Sequence, residues 1–188
     1  MKTFNKNSRM TFVLIALVAA TIIGILAFSD LESKDQAPLD FSFKKTDAQF
    51  MIRAAEINLQ EIQLGHLAQQ KSMSMDAKQL AEKMVKEHTQ LLSDLTAMAK
   101  KKGVTLPKST SSEGMEEYKE LNNKSDRRFS EEYCELVIKE HKEAINLFEK
   151  AAKDASDSEI REWAAATIPA LKTHLANAKN CKERCEKM

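Results

Sequence analysis

Along residues 130–152, SEEYCELVIKEHKEAINLFEKAA, the side chains of Cys134, Val137, His141, Ala144, Phe148 and Ala151 recur at alternating steps of three and four. That spacing puts all six on one face of a helix. Such a face is buried against other helices, and His141 stands in the middle of it. A buried imidazole has lost its water and needs hydrogen-bond partners or a metal ion. Its partners must come from elsewhere in the chain, so a lone helix is excluded.

Three other stretches carry the same signature. The first runs Phe50, Ala54, Ile57, Glu61, Leu64 and Ala68, with one carboxyl on the stripe. Thr46-Asp47-Ala48-Gln49 reads as the capping box that opens this helix. His66 falls off its face and is a solvated residue without a role. The second runs Ala81, Met84, His88, Leu91, Leu95 and Met98, opened by Ser74 as N-cap and closed by three lysines and Gly103. Residues 103–129 form a long connection with a short amphipathic patch, EGMEEYKELNNK. Ser130 is the expected cap of the next helix, and Ser156-Asp157-Ser158-Glu159 the capping box of the last. That last stripe holds Ile160, Ala164, Thr167, Leu171, His174, Ala178 and Cys181, with Pro169 inside it.

Each stripe is therefore broken once, by Glu61, His88, His141 or His174. Measured from the two tight turns, Glu61 lies about 12 residues before and His88 about 15 after, His141 about 15 before and His174 about 18 after. At a rise of about 1.5 Å per residue the members of each pair match to within roughly 5 Å along the helix axis. Three neutral imidazoles and a carboxylate in one layer suit a single Zn, Fe, Mn or Cu ion. The same layer could instead be a hydrogen-bonded network that fixes helix register without binding anything. A di-iron centre is disfavoured, because Val85, Ile138 and Leu171 stand where its Glu-x-x-His motif needs acids. Cys134 and Cys181 share a seam two turns from this layer and could form a disulfide, with Cys185 left exposed.

The N-terminus bears on the compartment. Residues 10–28, MTFVLIALVAATIIGILAF, are uncharged, follow Lys2, Lys6 and Arg9, and precede Asp30, Glu32 and Asp35. The run is at the lower end of the roughly 20 residues that a membrane helix needs. Positive-inside logic sends the rest of the chain out of the cytoplasm. Cleavage after Ser29 as a signal peptide is the competing outcome. The chain thus divides into residues 1–29 as signal anchor or signal peptide, 30–45 as a polar linker, 46–182 as a four-helix bundle and 183–188 as a tail. With 29 Lys and Arg against 28 Asp and Glu, no nucleic-acid footprint is present. The membrane, through residues 10–28 if uncleaved, is the one partner the sequence implies.

The pattern resembles a bacterial envelope family described only as a domain of unknown function, ferritin-like and often labelled an outer-membrane protein. The residues that carry the resemblance are Phe50 with Ala54-Ala55, Glu61-Ile62-Gln63-Leu64-Gly65, Glu87-His88, Leu106-Pro107, Phe129-Ser130 with Tyr133, His141, and Ile168-Pro169 with His174. Members usually show an acid where Ser130 stands and an Asp where Glu87 stands. The resemblance implies a ferritin-like four-helix bundle exported from the cytoplasm, in line with the residue-level expectation of an all-α up-down bundle with a long connection between its second and third helices at the periplasmic or extracytoplasmic face. It implies no established activity or cofactor. A helical chain without alternating strands fits an outer-membrane barrel poorly. The expectation is a bundle with no assigned reaction, either binding one metal ion for storage, sensing or redox protection, or acting as a non-catalytic structural or stress-related envelope protein.

Overall fold

A computed structural model of the chain describes residues 45–187. They form five helices, α1 Lys45–Lys71, α2 Met75–Lys102, α3 Ser112–Asn122, α4 Asp126–Asp154 and α5 Ser158–Glu186, and no strand occurs among the described residues. None of these helices is long and apolar enough to cross a membrane. The apolar run 10–28 and the linker lie outside the described residues.

Helix ends follow the local chemistry in part. Ser74 is the N-cap of α2 and accepts from the amide of Ala77, and Gly103 closes that helix in the left-handed conformation at φ 67°. The amphipathic patch of the long connection is α3, capped by Ser111. Three expected caps are corrected. Ser130 does not open its helix, because α4 starts at Asp126; the extra turn buries Phe129 completely, and Ser130 hydrogen-bonds Ser72 at 2.8 Å. Asp157 rather than Ser156 caps α5, accepting from the amide of Ile160. Thr46 does not open α1, because it already lies inside the helix that runs from Lys45, and the neighbouring Asp47 is spent on another element. Its carboxylate accepts from the amides of Ser156 and Asp157 and from the Ser156 hydroxyl, which binds the start of α1 to the α4–α5 turn.

These end contacts set the topology. Asp47, Lys102 and Asp157 meet at one end of the bundle, the last two 2.6 Å apart, whereas Ser72, Ser74, Ser130 and Cys185 meet at the other. Helices α1 and α2 form one antiparallel hairpin and α4 and α5 the other, with α1 beside α4 and α2 beside α5. The run is up, down, down, up, so α2 and α4 are diagonal and parallel. The connection between them must climb the bundle, a rise of about 40 Å for a helix of this length. Residues 104–125 do so, and α3 packs on α1 and α4 on the way.

The core is in two parts. One, at the Asp47 end, gathers Phe50, Met51, Leu95, Phe148 and Ile160, with Trp163 packed against it. The other, at the Ser74 end, gathers Leu64, Met84, Phe129, Tyr133 and Val137. Between them the four stripe interruptions lie buried. His66 is exposed, as its position off the face requires.

Within the first hairpin the helices approach closely at Gly65, where a Cβ would lie 2.6 Å from Val85 Cγ2 and 3.1 Å from the Ala81 carbonyl. Valine is stiff in a helix, so the clash outweighs the roughly 1 kcal/mol that alanine gains in helix propensity. Gly65→Ala is expected to cost on the order of 1 kcal/mol net, read as a lower urea midpoint at unchanged slope. An unchanged midpoint would mean that the hairpin relaxes freely.

Candidate metal centre

The stripe residues His88, His141 and His174, on α2, α4 and α5, are 1%, 1% and 0% exposed, and Glu61 on α1 is 0% exposed. Their levels coincide because each is near mid-helix in a hairpin with a short turn. His88 Nε2 is 3.3 Å from His141 Nε2, which is 3.2 Å from His174 Nδ1. One nitrogen from each ring lies within 4.8 Å of the other two.

The other nitrogen of each ring decides the protonation. The Asn58 amide donates to the Ala54 carbonyl at 2.7 Å, which leaves its oxygen to accept from His88 Nδ1–H at 2.9 Å. His141 Nδ1–H donates to the Val137 carbonyl at 2.9 Å, and His174 Nε2–H donates to Glu87 Oε2 at 2.5 Å. In neutral imidazole only one nitrogen carries a proton. All three neutral rings therefore turn bare lone pairs toward one another at the centre. Lone pairs at this separation repel unless a cation, a proton or a metal ion, lies among them.

Glu61 stands behind this cluster rather than in it. Its Oε1 is 3.2 Å from His141 Nδ1, but the N–H there is directed to Val137, and neither carboxyl oxygen has a hydrogen-bond partner. The Tyr133 hydroxyl is also buried without one. The carboxyl thus acts on His141 through charge. Burial is the largest influence on His141 and pushes its pKa down, yet Glu61, the Val137 carbonyl and Glu140 together outweigh it and the net shift is upward. His88 is held well below the usual imidazole value by burial and then by its two histidine neighbours. Burial also lowers His174, against the opposing pull of Glu87.

The three histidines were legible from spacing, and so was the buried position of Glu61. Asn58 was not singled out, although it lies three residues before Glu61 on the same face. Glu87 neighbours His88 on α2 and points about 100° away from it. That direction faces α5, which is how it reaches His174. Of the cysteines, Cys134 and Cys181 are joined as a disulfide with Cα atoms 6.2 Å apart. Cys185, expected to be exposed, is buried, because α5 continues to Glu186 and carries it one turn past Cys181.

The family described as a domain of unknown function (DUF4142) matches residues 32–181. No curated protein matches the chain. Two solved structures share the fold: a DUF305 fragment from Deinococcus radiodurans, with TM-score 0.67 and 15% identity over 75% of this chain and 97% of that one, and a DUF305 protein from Streptomyces coelicolor described as a candidate secreted protein, with TM-score 0.63 and 13% identity over 75% and 94%. At such identities the likeness is one of fold.

Glu140, next to His141 and 3% exposed, has its pKa raised to about 8, by burial first and then by Glu117, Glu61 and Glu143. The unfolded chain loses this proton near 4.5 and the folded protein near 8, so between those values the folded state binds the extra proton and stability falls as pH rises. Glu140→Gln, which mimics the protonated acid, is expected to gain stability relative to the unmodified protein from about pH 4.5 to 8 and to hold a constant advantage above that. Melting curves across this range check it. Parallel pH profiles for the two proteins would contradict the assignment.

Proposed function

The chain belongs to the DUF4142 family, and from that premise we propose that it is an exported four-helix bundle holding one transition-metal ion at His88, His141 and His174. The observation that carries the reading is the convergence of three lone pairs whose rings are each fixed from behind by an oxygen acceptor. Metal-ligating histidines are oriented in this way. Around a four-coordinate ion with bonds of about 2.0–2.1 Å, ligand nitrogens sit roughly 3.3–3.4 Å apart. The separations of 3.2 and 3.3 Å match.

Neutral imidazoles suit Zn, Cu, Fe and Ni better than harder ions. Glu61 supplies negative charge behind His141 without needing to ligate, and it offsets part of the ion's charge in a sealed interior. The single-crossover connectivity is that of ferritin-like bundles, whose cores build metal sites from facing helices. With the ligands fully buried, holding or sensing an ion fits better than turning over a substrate, and no catalytic residue is assigned.

Export rests on the basic and then apolar N-terminal run, and the secreted description of the Streptomyces neighbour agrees with it. The bundle would work at the periplasmic or extracytoplasmic face, held by residues 10–28. The second reading is a register-fixing polar layer. It is favoured by His141, whose raised affinity for a proton could place one proton among the three nitrogens instead of an ion.

Metal analysis of the full chain purified without a histidine tag separates the two. One equivalent of metal is expected, and at a thousandfold excess over Kd the ion should stabilise the fold by about 4 kcal/mol. His141→Gln should abolish both effects, whereas His66→Gln should leave them. Absence of stoichiometric metal, with no rise in melting temperature on adding Zn, Cu, Fe or Mn, would leave the proton-bridged layer as the explanation.

A further inference from the structure

The end of the bundle marked by Ser74 holds a second constellation. The sulfurs of Cys134, Cys181 and Cys185 lie within 4.8 Å of one another, and all three residues are buried. Cys134 and Cys181 are joined, but Cys185 is free and its sulfur lies 4.0 Å from that of Cys181. A disulfide alone gives no role to this third sulfur. Burial raises the Cys185 thiol above its usual range, which makes it a poor nucleophile toward the neighbouring disulfide.

We propose that Cys134, Cys181 and Cys185 in their reduced form make a sulfur site for one thiophilic cation, Cu(I) or Zn(II), and that the Cys134–Cys181 disulfide is the closed form of that site. Around an ion with metal–sulfur bonds of about 2.3 Å, ligand sulfurs lie roughly 3.8–4.0 Å apart. The Cys181–Cys185 separation already has that value, and reduction frees Cys134 to move to it. Thiolates select soft ions of this kind.

Against burial and the acids Asp76 and Glu131, Ser74 and Arg184 favour negative charge on Cys185. Cys185 Sγ is 3.3 Å from Ser74 Oγ, and Ser74 caps the positive end of α2. Its sequence neighbours Met73 and Met75 are 72% and 67% exposed. Two exposed thioethers flanking the residue that touches Cys185 give a soft ion a surface stop beside the buried site. The site is about two helical turns, or roughly 10 Å, from the imidazole layer. It has no ligand in common with that layer and does not depend on it.

The switch between the two forms is an ordinary exchange of electrons. A dithiol reductant gives two electrons and two protons to the Cys134–Cys181 bond, leaving two thiols and itself becoming a disulfide. A disulfide oxidant reverses the step. Metal binding to the open form then displaces the thiol protons.

The test titrates Zn(II), and separately Cu(I), into the full chain under anaerobic conditions, after reduction with a phosphine and after oxidation. The reduced protein is expected to take up one cation with a thiolate-to-metal charge-transfer band, using Co(II) in place of the spectroscopically silent Zn(II). The oxidised protein should lack the band. Cys185→Ser should still form the Cys134–Cys181 disulfide, with an unchanged helical spectrum, but should bind the ion at least about tenfold more weakly when reduced. His141→Gln should keep the band. No thiolate band in the reduced protein, or equal affinity in the Cys185→Ser variant, would overturn the proposal and leave the imidazole site untouched.

Discussion

A buried imidazole has two nitrogens, and this bundle ties the outer one of each of three rings to an oxygen acceptor. The outer nitrogen of His88 is tied to α1 through Asn58, and that of His174 to α2 through Glu87. His141 uses the carbonyl of its own preceding turn. Sliding α2 by a single residue would shift its side chains by about 1.5 Å and swing them through about 100°. It would break both cross-helix contacts. The apolar clusters above and below tolerate some slippage, since leucine and methionine repack. The polar layer does not, because each cross-helix hydrogen bond needs its partner at one level.

The bundle's ends are secured in a different way. Asp47, 1% exposed, gives its carboxylate to the backbone where α4 hands over to α5. At the far end, Ser72 and Ser130 meet beneath the α1–α2 turn. Small hydrogen-bonded pairs therefore clamp each end, and the imidazoles hold the middle. This division of labour suits a chain with little turn-forming residue to spare, since every helix end must be satisfied by side chains already present.

Much of this was readable from periodicity. The four stripes, the mid-length positions of Glu61, His88, His141 and His174, and the crossover patch all follow from a 3.6-residue repeat and a constant rise. Apart from Ser74, which caps α2 as its position requires, the helix starts were less legible because distant partners bear on them. Ser130 looks like a cap until Phe129 is seen to need burial. Ser156 looks like one until Asp47, more than a hundred residues away, takes its amide. The placement of Glu61 was half legible. Its stripe position gives the level, but which imidazole nitrogen it meets depends on ring orientations set by Asn58, Val137 and Glu87. Cys185 was assigned to a frayed tail because nothing local shows that Ser74 receives its thiol.

The disulfide has a consequence for how the molecule would come apart. Both its cysteines belong to α4 and α5, so the covalent bond braces one hairpin against itself and does not cross to α1 and α2. Among the described residues, the two hairpins are joined only by the climbing segment that contains α3 and by noncovalent contacts along their shared seam. Pulled or loosened by denaturant, the protein has a built-in line of cleavage, like the two valves of a shell. The imidazoles lie on that line, one on the first valve and two on the second, and parting the valves would uncover them before either hairpin unravelled.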